Sequence, residues 1–98
     1  MFGDLMGGMQ QKQAALQQKL ATMQVEAENS GVRVVCNGAG NVIDVALDAT
    51  KLDFTDLEMI EDLLITVLNQ ALDKSANLQA SETESLMKDL LPPGFGGF

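Results

Sequence analysis

The chain contains no histidine, tryptophan or tyrosine, and a single cysteine. Without histidine, general-base chemistry at neutral pH falls to a carboxylate or to that one thiol, so an enzyme has little to work with. One cysteine, Cys36, permits no disulfide within the chain, which suits a reducing cytosol. Basic residues are scarce: six against fourteen acidic ones give a net charge of -8. That balance favours solubility and opposes non-specific attraction to phosphate or anionic lipid. No run approaches the ~20 apolar residues a membrane span requires. The opening MFGDLMGGMQ has neither a basic region nor an apolar run, so we expect no secretory signal. These absences lead us to expect a soluble cytoplasmic protein, with no catalytic residues, no cofactor and no membrane partner.

What is present fits one domain spanning residues 1–98. A chain of this size buries roughly 60–65% of the surface its unfolded form exposes, so its own core is modest. From Met9 the sequence MQQKQAALQQKLATM consists largely of helix formers. Met9, Leu16, Leu20 and Met23 follow a heptad spacing, with Gln13 at the remaining seam position. Such a stripe serves either a helix packed on its own sheet or a seam against a partner subunit. So narrow a seam favours the partner. Gly7 and Gly8 each cost about 1 kcal/mol in a helix interior, so residues 1–8 are expected to fray.

The period then changes from seven to two. Val25 and Ala27, then Val32, Val34 and Cys36, then Ile43, Val45 and Leu47 alternate with other residues in three short runs. Asn29-Ser30-Gly31 and Asn37-Gly38-Ala39-Gly40 separate them, with residue types that accept positive φ. The pattern predicts a three-stranded antiparallel meander with one face buried. Asp53 to Glu58 opens the last long element, where Thr55 and Glu58 have capping-box spacing. Leu57, Ile60, Leu64, Val67, Leu68, Ala71 and Leu72 make a broad helical stripe. Ser81 and Glu84 suggest a second cap and a short further helix to about Leu90. Pro92 and Pro93 end it, and residues 91–98 form a Pro/Gly/Phe tail in which Leu91 and Phe95 are expected to pack onto the body or a partner.

Chemistry-bearing clusters are few. Gly38-Ala39-Gly40 is followed by a strand pattern, so it reads as a hairpin turn and not as a phosphate-binding loop. Asp56, Glu58, Glu61, Asp62 and Asp73 lack calcium-loop spacing and read as a solvated helix face, so no metal site is expected. Cys36 lies on an apolar strand face and reads as inert core, with a free surface thiol as the alternative. Lys12 and Lys19 share one helix face, flanked by Gln10, Gln11, Gln17 and Gln18. Long cationic and amide side chains on one stripe can reach phosphates, although a solvated coiled-coil flank has the same pattern. Arg33 points off the apolar strand face.

The Met-Phe-Gly start, the hairpin VRVVCNGAGNV followed by VALDATKL, the helix EDLLITVLNQALDKS and the ending LPPGF together resemble the YbaB/EbfC nucleoid-associated proteins of bacteria. The resemblance implies an α+β fold with a small antiparallel sheet and long helices, paired as an intertwined homodimer. It implies binding of duplex DNA in the nucleoid, with a role in nucleoid organisation or gene regulation. Carried onto this chain, Lys12 and Lys19 are the first candidates for DNA contact, followed by Lys74 and Lys88, with Arg33 available from the strand. Met9, Leu16, Leu20 and Met23 are the expected dimer interface. With so few cations, binding is expected to be weak and salt-sensitive. The second reading is a dimeric adaptor or scaffold that binds a recombination or repair protein.

Overall fold

A computed structural model describes the backbone of residues 2–90 and the side chains of residues 7–89. The elements run α1 (Phe2–Thr22), β1 (Gln24–Asn29), β2 (Val32–Asn37), β3 (Val42–Leu47) and α2 (Leu57–Leu90). The expected order of helix, antiparallel meander and long C-terminal helix is the order observed. The expectations for residues 91–98 lie outside the described residues.

Each connection has a local cause. Ser30 and Gly31 both have positive φ (52° and 97°), which matches the twist of a two-residue hairpin between β1 and β2. At the β2–β3 turn the Asn37 side-chain oxygen accepts hydrogen bonds from the Ala39 and Asn41 amides, both at 3.0 Å. Gly38 is there for space. A Cβ on it would lie 2.8 Å from the Leu20 carbonyl oxygen. Its amide donates to the carbonyls of Leu20 and Met23, which ties the end of α1 to the turn.

The start of α2 differs by one step from the expected capping box. The Asp56 carboxylate accepts from the Met59 amide at 3.2 Å, which makes Asp56 the cap. Thr55 is unavailable for that role because its hydroxyl donates to Asp53 at 2.6 Å. The expected second helix from Ser81 is also absent as a separate element: α2 is unbroken for 34 residues. No glycine or proline interrupts it, so nothing ends one helix before the next begins. Gly7 and Gly8 likewise lie inside α1.

The sheet order is β1-β2-β3. Ile60, Val67 and Ala71 of α2 pack with Leu52 on Ala27, Val32, Val34 and Cys36 to form the core. The buried Ser75 hydroxyl donates to the Asn37 carbonyl at 2.8 Å, so its burial leaves no unmet polar group. The expectation of one buried face holds for β1 and β2 and fails at β3. Val45 pairs with Val34, and Leu47 with Val32, yet they remain 43% and 41% exposed. The helix lies over the first two strands, and its width does not reach the third.

Beyond Ser75 the helix leaves the sheet and runs antiparallel beside α1, which brings Glu82 to Lys19. The molecule measures 64 × 29 × 17 Å, with a radius of gyration of 18.9 Å. A compact domain of this length has a value of about 13 Å. The excess is the two-helix arm.

Candidate nucleic-acid interface

The five candidate cations fall into two groups. Lys12, Lys19 and Lys88 lie on the arm, whereas Arg33 and Lys74 meet at Glu26 in the body. On the arm, Lys19 Nζ donates to Glu82 at 2.7 Å, and Lys88 lies 3.5 Å from Glu84 one helical turn away. Lys12 shares a shallow cleft with Lys19, Glu82 and Asp89, and makes no ion pair among the described residues. In the body, Arg33 pairs with the Glu26 carboxylate at 2.7 Å. Lys74 donates to the Glu26 backbone carbonyl, also at 2.7 Å, and so satisfies an acceptor on edge strand β1.

The sequence shows that Lys12 and Lys19 share a face, and the structure shows what that face meets. It flanks α2, so the stripe carries carboxylates beside its ammonium groups. Only the antiparallel register of α1 on α2 reveals this. Lys19 and Glu82 are 63 positions apart. Exposed ion pairs are worth about 0–1 kcal/mol, so exchanging a carboxylate for a phosphate is energetically open. The hydrogen bond from Arg33 holds the Glu26 carboxyl below the usual carboxylate range, and Glu26 in turn raises Arg33.

The heptad positions also separate. Leu20 is 1% exposed within the single chain, so it has no surface left for a partner. Leu16 and Met23 are half-buried, and Met9 is exposed. More open apolar surface lies on Val42, Ile43, Val45 and Leu47 of β3 and on Leu57, Ile65 and Leu72 of α2. Alternation revealed that β3 is apolar but carried no information on whether anything covers it.

Cys36 is fully buried, and desolvation pushes its thiol above the ordinary value, away from the thiolate a nucleophile needs. Among the described residues no three Cys, Asp or Glu side chains converge as metal ligands would. No described helix is long and apolar enough to cross a membrane. The class of surface on view is a sparse set of candidate cations, three on the extended arm and two, from β2 and α2, gathered at Glu26 of β1.

Comparison with known proteins places that class. A profile of the YbaB/EbfC DNA-binding family matches residues 2–90, and the chain belongs to that family. A nucleoid-associated protein of Syntrophobacter fumaroxidans is 38% identical over 88 residues, covering 88% of this chain and 80% of that protein. One from Brucella ovis is 35% identical and covers 94% of each chain. The fold matches an uncharacterised protein from Helicobacter pylori with a TM-score of 0.78. That match covers 88% of this chain and 92% of the other at 20% identity.

Proposed function

We propose that the protein is a nucleoid-associated homodimer that binds duplex DNA through its phosphate backbone and contributes to nucleoid organisation or gene regulation. The family match across residues 2–90 carries this reading. The homodimer is supported by the apolar side chains of β3 and α2 that the protomer leaves uncovered. Burying such surface is favourable, and a small core of this kind gains from a second copy. We therefore centre the interface on β3 and the outer face of α2, and leave the α1 positions to the arm.

In a dimer, the two arms offer Lys12 and Lys19 twice. With Arg33 or Lys74 added, roughly four to six phosphates are neutralised, for a log–log salt slope of about -4 to -5. Phosphate contacts carry no sequence information, so binding is sequence-tolerant. The net charge of -8 per chain opposes encounter and keeps the affinity near micromolar, on the order of non-specific binding at physiological salt.

The test is a titration with duplex DNA at two salt concentrations, using wild type and the double variant Lys12→Glu, Lys19→Glu. The expected result is steeply salt-dependent binding by wild type and none by a folded double variant. Equal binding by the two would remove α1 from the interface. No binding by wild type at low salt would favour the adaptor for a recombination or repair protein.

A further inference from the structure

The two flanks of the arm differ. One carries the charged cleft of Lys12, Lys19, Glu82 and Asp89. Beside it a groove of about 850 Å³ runs between α1 and the end of α2, with walls that include Met9, Ala14, Leu16, Thr83, Leu86 and Met87. None of the described residues lining this groove is charged. Met9 and Met87 are 45% and 61% exposed, so two long apolar side chains stand beside it open to water. Exposure of this kind is unfavourable, and methionine adapts its shape to an incoming aromatic ring.

Residues 91–98, LPPGFGGF, follow Leu90 in the sequence, and Met87 of the groove wall precedes Leu90 by less than one helical turn. Their chemistry matches the groove, with no charged side chain and with Leu91, Phe95 and Phe98 available to bury. Pro92 and Pro93 cannot continue the helix, and Gly94 accepts the backbone angles of a reversal. Reach is sufficient. The five residues from Leu90 to Phe95 span up to about 17 Å. The α2 wall from Leu90 back to Thr83 is about 10 Å long.

We infer that residues 91–98 dock in the groove between α1 and α2 of the same chain, with Phe95 seated against Met9, Leu86 and Met87. The docked segment latches α1 onto α2 and fixes the spacing of the lysines on the neighbouring flank. This intramolecular seating does not depend on DNA binding, and each is tested without the other.

The experiment is methyl NMR of the full chain labelled at its methionine methyl groups, with Phe95→Ala as the variant. An aromatic ring over Met9 and Met87 displaces their methyl resonances. The variant is expected to abolish that displacement and leave Met59, at the far end of α2, unchanged. Ala14→Glu places a charge in the groove from an exposed helical position and is expected to produce the same loss. Unchanged Met9 and Met87 signals in Phe95→Ala overturn the proposal. So does recovery of the displaced signals when labelled Phe95→Ala chains are mixed with unlabelled wild type, because a second copy's tail then fills the groove.

Discussion

In the body, β1, β2 and the α2 residues from Ile60 to Ser75 share a core in which Val32, Val34, Cys36, Val67 and Ala71 are all 0% exposed. In the arm, formed by α1 and the rest of α2, the described residues include one comparably buried apolar side chain, Leu20 at 1%. Both regions are made of helices with apolar stripes, yet only one stripe has a sheet to lie on. Stability within a chain follows such differences in burial, and mobile functional elements come from the less buried end. The proposed DNA-contacting lysines Lys12 and Lys19 stand on that end.

The largest effect belongs to the body. Val67→Asp puts an unpaired charge at a position with no exposed surface. A loss of about 4 kcal/mol or more is expected. Circular dichroism with urea titration should show global unfolding, body and arm together. If only part of the helical signal were lost, the arm would be holding structure without the body.

Next comes the joint between the two regions. Gly38→Ala forces a methyl group to within 2.8 Å of the Leu20 carbonyl, a backbone atom that cannot turn aside. Relieving the clash moves α1 off the turn and breaks the hydrogen bonds that the residue 38 amide donates to the Leu20 and Met23 carbonyls at 2.8 and 2.9 Å. Overpacking of this kind costs about 1–3 kcal/mol. Hydrogen exchange should rise most in α1 and the distal part of α2, with the β1–β2 amides little changed. Uniform loss of protection would merge arm and body into one cooperative unit.

How far these features were legible depends on their range. The three strands, their turns and both helices come from periodicity and residue types a few positions apart. For the cap of α2, the spacing pointed to Thr55 alone, and the Asp53–Thr55 bond, which that spacing does not encode, took its hydroxyl and left the role to Asp56. The heptad at Met9, Leu16, Leu20 and Met23 was legible as a stripe, but whether it faced its own sheet or a partner was not. Leu20 turned inward because Gly38 leaves room for it. The open face of β3 and the carboxylates beside Lys19 were hidden for a related reason. They depend on how wide α2 is and where it crosses α1, which no local spacing encodes.

The pH dependence sharpens the contrast from the body's side. Glu26 is held below its ordinary value chiefly by the Arg33 hydrogen bond, Asp48 by the Thr50 hydroxyl and Asp53 by the Thr55 hydroxyl. A carboxyl depressed in the folded state adds stability above its unfolded value and loses it as pH falls through the folded one. The ordinary values are 4.5 for Glu26 and 3.8 for the two aspartates. Urea midpoints should therefore be insensitive to these groups near neutrality and fall once the pH drops below that range. Arg33→Met should flatten part of the acid limb; an unaltered limb would show that the Glu26–Arg33 pair does not contribute to it.

The smallest expected effect is Glu82→Gln. Glu82 accepts the Lys19 ammonium at 2.7 Å, and its side chain is only 19% exposed against 59% for the lysine. The geometry places the carboxylate at the base of the pair and the ammonium at its solvent-facing end. Removing the negative charge leaves Lys19 with a neutral hydrogen-bond acceptor and lowers the repulsion a phosphate meets. An exposed pair is worth about 0–1 kcal/mol, so DNA affinity should rise by up to about fivefold. Stability should change by no more than the same amount. The gain should be greatest in dilute salt, because screening weakens the contribution of an exposed carboxylate as ionic strength rises. Titrations of wild type and variant at two salt concentrations check this, with urea midpoints as the control for folding. If removing this carboxylate leaves affinity unchanged while Lys12→Glu with Lys19→Glu abolishes it, Lys12 carries the contact and Lys19 stays with α2.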